Sequence, residues 1–303
     1  MKKIKYLLDY FKYLENPQSA LRFKFGFTKE CEIKIKHYNN QIHLDSITAL
    51  NRLMYLLTIS KVEKYPELIT YIKELNNDEK IVNINNIQYI NIFNTSFKEE
   101  HPLNYEICIE EFFSDDEWDM LNLNNRNIID IGANVADTAL HFANNGANVI
   151  AFEPVKHLYD LGIENISLNS NLKEKIKFVN KAVGGKNGKL NIETVSTKSY
   201  INSNDHYEIE VITIQDVLDK YNFQPDILKM DCEGCEFEIV ANSDLSMFND
   251  IVLEHHAEIA GKDYKPIIKK LEEQNFKIDT FPCYASKKPF EKIGIIHAYK
   301  NEK

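Results

Sequence analysis

Three clusters of acids and small residues have the types and spacing to do chemistry. In Asp130-Ile-Gly-Ala-Asn-Val-Ala-Asp-Thr138 a carboxylate follows an apolar run, one glycine permits a tight turn, and Asp137 and Thr138 fall where a helix would begin. The run Asn148-Val-Ile-Ala-Phe152 ends in Glu153-Pro154, and Asp226-Ile-Leu-Lys-Met-Asp-Cys-Glu-Gly-Cys-Glu236 delivers Asp231 and Glu233 just past a third apolar run. Gly132 frees the backbone, while Ala133 and Ala136 keep bulk away from an approaching ligand. A dinucleotide site wants several glycines and a helix N-terminus facing pyrophosphate. One glycine flanked by Asp130 and Asp137 repels a diphosphate and suits a cationic ligand with an amino group. That points to S-adenosylmethionine rather than NAD. An acid at the end of the next strand can accept hydrogen bonds from ribose hydroxyls, the role read for Glu153, and Pro154 restrains the backbone beside it. Asp231 and Glu233, at a strand-to-helix turn, are placed to orient a substrate, take a proton or share a metal.

Two further groups compete for attention. Along Leu253-Glu254-His255-His256, strand alternation puts Glu254 and His256 on one face and His255 on the other. A histidine there can deprotonate a hydroxyl, because its unperturbed pKa lies near neutrality, and His256 is the candidate base; packing at a strand end is the equal alternative. Cys232-x-x-Cys235 has redox or half-zinc spacing, but no second cysteine pair accompanies it, so no metal site is predicted. His206 reads as a solvated loop histidine.

These residues need a frame to hold them. Apolar or alternating runs predict strands at 127–133, 148–152, 176–182, 226–230, 251–255, 277–281 and 294–299. Helical patterns fall at 135–144, 156–170, 214–221 and 264–275, and a further helix begins near Glu236. The apolar runs suit strands covered on both faces, as in a parallel sheet. The last two strands lack a helix-length connection and are expected to pair antiparallel. Residues 184–212 read as a Gly-containing turn plus short strands, an insertion beside the pocket. The fold class is α/β, with residues 1–110 as a small α+β accessory region and 111–303 as the ligand-binding domain. In the first region Ile4, Leu7, Leu8, Phe11 and Leu14 recur at helical spacing, and Pro17 breaks that helix. Glu32 to Lys36 alternates like a strand, Ser46 can cap a helix through Leu50, Leu53, Leu56 and Leu57, Pro66 stands near another helix start, and 81–94 alternates again.

Composition narrows the partners. A formal charge of -10 argues against general nucleic-acid binding, which wants a basic face. The lysine-rich first 36 residues leave room only for weak contact with a membrane surface or anionic substrate. Five cysteines are too few for a disulfide scaffold in 303 residues, and Asp9 and Glu15 interrupt any apolar leader. A reduced, cytoplasmic protein is expected.

The blocks at 130–138, 151–154, Asn180-Lys-Ala-Val-Gly184, Val211-Ile-Thr-Ile-Gln-Asp-Val-Leu218 and 228–236, in that order, resemble the FkbM family of S-adenosylmethionine-dependent methyltransferases. The likeness covers roughly residues 120–300. Ala136 stands where glycine is common, and Cys232 and Cys235 where Val and Ala are usual. The resemblance implies a class I methyltransferase sheet whose last strand is antiparallel and inserted between its neighbours. It implies O-methylation of a hydroxyl on a sugar, glycan or small natural product. Asp130, Gly132, Asn134 and Asp137 would hold the methionine part, Glu153 the ribose, and Asn180 and Ala182 the adenine, with Thr138 and Pro154 completing the set. Asp231 and Glu233 would face methyl donor and acceptor. A divalent ion, if used, would take these two as ligands. The rival readings are an NAD-linked oxidoreductase, which wants a Gly-rich phosphate loop, and a non-catalytic binding module built on the same sheet.

Overall fold

The structure is a computed structural model describing residues 2–36, 41–45, scattered positions between 47 and 57, 81–84, 87–90, 120–193, 206–283 and 288–300. The chain divides into two compact units, Met1–Asp115 and Asp116–Lys303.

In the first unit, helices α1 (Lys2–Tyr13) and α2 (Pro17–Lys24) precede an antiparallel pair, β1 (Cys31–Lys34) with β2 (Gln41–Leu44). A second pair joins β3 (Ile81–Ile84) to β4 (Ile87–Ile90). Pro17 opens α2, where its fixed φ and missing N–H cost nothing. Alternation in β1 holds: Ile33 and Ile35 are buried and Glu32 is exposed. The α1 stripe needs correction. Leu8 and Phe11 are 61% and 49% exposed, whereas Tyr10 and Leu14 are buried. Leu50, Leu53 and Leu57 are buried in helical positions; Ser46, Leu56 and Pro66 lie outside the described residues.

The second unit is built on a seven-stranded sheet. Its strands are β5 (Asn127–Ile131), β6 (Asn148–Phe152), β7 (Ile176–Val179), β11 (Ile227–Met230), β12 (Asp250–His255), β13 (Lys277–Pro282) and β14 (Gly294–Tyr299). Their order is β13-β14-β12-β11-β5-β6-β7. Strands β5, β6, β7, β11 and β12 run parallel, and β14 is antiparallel to both β12 and β13. A short final connection forces that reversal, since a parallel return needs a crossover. Ile128, Ile129, Ile131, Leu228, Met230, Ile251 and Leu253 are all buried, because helices cover the sheet on both faces. Those helices are α3 (Asp137–Asn144), α4 (Lys156–Leu168), α5 (Ile214–Tyr221), α6 (Glu236–Asn242), α7 (Ala257–Ala260) and α8 (Lys265–Glu273). Thr213 and Asp216 close a capping box at the start of α5. The insertion forms its own sheet, β8 (Ala182–Val183), β10 (His206–Ile212) and β9 (Gly188–Glu193) in that order.

Two boundaries shift for physical reasons. The helix predicted from Val135 begins at Asp137, because Asn134 and Ala136 adopt left-handed φ of 48° and 63°. The third strand, predicted to run to Ala182, stops at Val179; Ala182 pairs instead with Val211 in the three-stranded sheet.

Candidate active site

The chain order of β5, β6 and β11 with their neighbours brings all three acid clusters to the carboxyl edge of one sheet. Strand order reverses between β5 and β11, since the chain goes from β5 outward to β6 and β7 and returns to β11 on the other side. Ligands of open α/β sheets sit at such a switch point.

On one side the polar groups are buried. Asp130 lies in β5 with its Oδ1 3.1 Å from Lys229 Nζ, and both are buried. Register makes the pair, because Lys229 in β11 stands directly opposite Asp130. Lys229 Nζ also donates to the Gly132 carbonyl at 3.0 Å, and Thr138 Oγ1 donates to Asp130 Oδ2 at 2.6 Å. The lysine thus fixes both the strand end and the turn that follows. Gly132 has φ 77°, and a Cβ there would stand 1.8 Å from the Asp231 carbonyl oxygen. Only glycine lets the two strand ends approach so closely. Asn134 N–H donates to Glu153 Oε2 at 2.9 Å and Val155 N–H to Oε1 at 2.8 Å. Glu153 is therefore a clamp for two turns as well as the expected ribose acceptor, and each oxygen retains a second lone pair. Burial pushes its carboxyl up to about 8, despite those backbone bonds. Asn180 Nδ2 ties the third strand end to the second through the Glu153 and Pro154 carbonyls at 2.8 and 3.1 Å.

Asp137 opens α3 and is buried, with no side-chain hydrogen-bond partner on either carboxylate oxygen among the described residues. Burial raises its pKa to about 6; Lys229 and the backbone N–H groups of Asp137 and Thr138 oppose the rise, and Asp130 adds to it. The Asn134 Oδ1 is likewise buried and unpartnered. Buried polar atoms left unsatisfied are costly and mark a place where a ligand completes the bonding. Buried carboxylate and amide oxygens with bonding capacity to spare fit a cationic amino group. They fit the amino-acid end of S-adenosylmethionine.

The other side of the switch point is wetter. Asp231 and Glu233 follow β11 with side chains 24% and 45% exposed, and Glu233 adopts φ 55°. His256, just past β12, is buried with its Nε2 3.8 Å from Asp231 Oδ1 and 3.5 Å from Glu233 Oε2. Donor atoms of Asp231, Glu254 and His256 lie within 4.8 Å of one another. That set suits a divalent ion better than Asp231 with Glu233, the pair read from the sequence. Burial lowers the basicity of His256, but the carboxylates of Glu236, Asp231, Glu254 and Glu233 together raise it to about 9. His255 faces away, stacked on Tyr264 and edge-on to Phe290, and burial lowers it to about 4. It is a packing residue. The His206 side chain lies outside those described.

Lys229 and Glu236 escaped the sequence reading as functional residues. Glu236, fully buried, accepts from Gly234 N–H at 2.9 Å and His256 N–H at 2.7 Å. Burial pushes its carboxyl up, but the bonds from His256 prevail and hold it below the usual range. Lys229 had a visible signal: it is the one cation inside the apolar run Ile227–Met230. Glu236 had none beyond its place at a helix start. Cys232 and Cys235 are joined by a disulfide, against the expectation of reduced thiols.

Seven strands in this order, with the reversed strand between its neighbours and acids at the ends of the first, second and fourth, define the class I S-adenosylmethionine-dependent methyltransferase fold. Residues 130–278 match the methyltransferase FkbM domain, and that segment of the chain belongs to the FkbM methyltransferase family. Among curated proteins, none matches the chain in sequence. Among solved structures, a methyltransferase FkbM from Methylobacillus flagellatus KT is 15% identical over 58% of this chain and 44% of its own, with a TM-score of 0.41. This chain thus spans less than half of that protein's length. Magnesium protoporphyrin IX methyltransferase from Synechocystis PCC 6803, with bound S-adenosylmethionine, is 12% identical over 59% of this chain and 72% of its own (TM-score 0.35). TrmK of M. capricolum, in complex with S-adenosylhomocysteine, is 13% identical over 61% and 66% (TM-score 0.36). No described helix is long and apolar enough to cross a membrane.

Proposed function

We propose that the chain transfers a methyl group from S-adenosylmethionine to a hydroxyl oxygen of a sugar, glycan or small natural product. The observation that carries this reading is the buried Asp137 carboxylate, which no side chain of the described residues bonds, beside a left-handed turn and one strand away from the partly exposed Asp231 and Glu233. When bound, the cofactor supplies a methyl carbon activated by its positive sulfur. Asp130, Gly132, Asn134, Asp137 and Thr138 hold its methionine part, Glu153 and Pro154 its ribose, and Asn180 and Ala182 its adenine. Asp231 and Glu233 orient the acceptor hydroxyl, so most of the acceleration comes from positioning. A neutral hydroxyl attacks poorly, and the proton it loses goes to this cluster. His256 is an imidazolium at neutral pH, given a pKa near 9, so its Nε2 accepts that proton only after giving up its own. Below that pH the Asp231 carboxylate is the acceptor. Residues 111–303 carry the reaction and 1–110 form an accessory region, in a cytoplasmic protein.

The test is transfer of a labelled methyl group from S-adenosylmethionine to a panel of glycans and hydroxylated small molecules. Label should appear as a methyl ether on one acceptor class. Asp231→Asn should lower turnover about 100-fold or more while leaving cofactor affinity within about threefold. Label on nitrogen, or equal loss of turnover and affinity, would contradict the assignment.

A further inference from the structure

We propose that Cys232 and Cys235 form a reversible thiol–disulfide site, exchanging with low-molecular-weight disulfides and setting the shape of the acceptor edge. The bond joins the two ends of the turn that carries Glu233 and Gly234, both at positive φ (55° and 113°), with Cα atoms 5.5 Å apart. Both cysteines are partly exposed, whereas Cys31 and Cys283 are buried free thiols. A small soluble disulfide can therefore reach this pair, and access is a requirement for exchange.

What the bond touches gives it consequence. Cys232 Sγ lies 3.4 Å from Glu236 Oε2, the same oxygen that accepts from Gly234 N–H. A disulfide sulfur carries no hydrogen, so this contact becomes a hydrogen bond only in the dithiol. Glu236 also holds the His256 backbone through Oε1, and its Oε1 lies 3.6 Å from His256 Nδ1. Reduction therefore adds a donor to the carboxylate that anchors His256 and releases the turn bearing Glu233. The exchange balances. One cysteine thiolate attacks a small disulfide, forming a mixed disulfide and expelling a thiolate. The second cysteine thiolate then attacks the protein sulfur of that mixed disulfide and expels the other thiolate. Two electrons pass from the cysteine pair to the small disulfide, and the two protons end on the released thiols. The effect on the acceptor edge rests on the methyl-transfer reading; the exchange itself does not.

The test equilibrates the full chain across ratios of reduced to oxidised glutathione, then quenches, unfolds, alkylates and maps peptides by mass. Cys232 and Cys235 should convert together in one two-electron transition, with Cys31 and Cys283 alkylated throughout. Alkylation of the pair at every ratio, or survival of the bond in excess dithiothreitol on the native protein, would overturn the site. Cys235→Ser should trap glutathione on Cys232, and no adduct would equally count against it. Hydrogen exchange at 231–236 and at His256 should be about tenfold slower in the oxidised form; identical exchange would sink the coupling. Titrating S-adenosylhomocysteine into both forms separates the readings. No binding by either form defeats methyl transfer and leaves the thiol result standing.

Discussion

The two halves of the carboxyl edge are built to different specifications. On the β5–β6 side Asp130, Asp137 and Glu153 are buried, with Asp130 held by register and a buried lysine and Glu153 by backbone amides. On the β11–β12 side Asp231 and Glu233 are partly exposed, on a turn held by Glu236 and by a disulfide. Dry, over-determined acids suit a ligand that never changes. Acids on a short turn, partly in solvent, leave the identity of a second ligand less constrained. The contrast explains why the cofactor reads more clearly here than the acceptor does.

The contrast can be broken most violently at Gly132. Gly132→Ala drives a Cβ into the Asp231 carbonyl, so one half can no longer abut the other. We expect a stability loss of about 4 kcal/mol or more in chemical denaturation, with cofactor binding abolished. Next comes the buried pair. Lys229→Met strands Asp130 in the core and should cost about 3–5 kcal/mol, and adding Asp130→Asn should recover most of it. Additive losses in that double variant would show that the two do not act as a pair.

Asp137→Asn sharpens the comparison, since it separates stability from binding. Its carboxylate has no side-chain hydrogen bond to lose among the described residues, and burial disfavours its charge, so unfolding should change little. Affinity for S-adenosylhomocysteine should fall about 10- to 100-fold in calorimetry, the loss of one charge-assisted contact. On the wetter side the expected effect is smaller and lies in pH. The His256 pKa is raised on folding, so its contribution to stability is fully present below pH 6.5 and lost as pH rises through about 9. The melting temperature should fall across that interval, and His256→Gln should flatten this part of the profile. Turnover should climb over the same interval if the neutral imidazole takes the acceptor's proton.

Much of the sheet was legible because its signals are local. Ile128-Ile129 and Val149 to Phe152 announce buried strands, and the short link before Gly294 announces the reversed one. The acids at 130, 137, 153 and 231 were legible for the same reason, each standing next to a strand end or turn. What was missed is held by distant partners. Lys229 meets Asp130 only because β11 returns beside β5, and Glu236 meets His256 across twenty positions. No window along the sequence contains both members of either pair. The α3 start was misplaced because left-handed backbone at Ala136 carries no glycine to mark it. Leu8 and Phe11 misled because apolar residues at helical spacing need not face a core.

Calorimetric titration of the purified chain with S-adenosylhomocysteine, run beside NAD, tests the central claim most directly. Acids lining the β5–β6 crevice should give saturable binding of the first at micromolar concentration and none of the second. Saturable NAD binding with no response to S-adenosylhomocysteine would contradict the account.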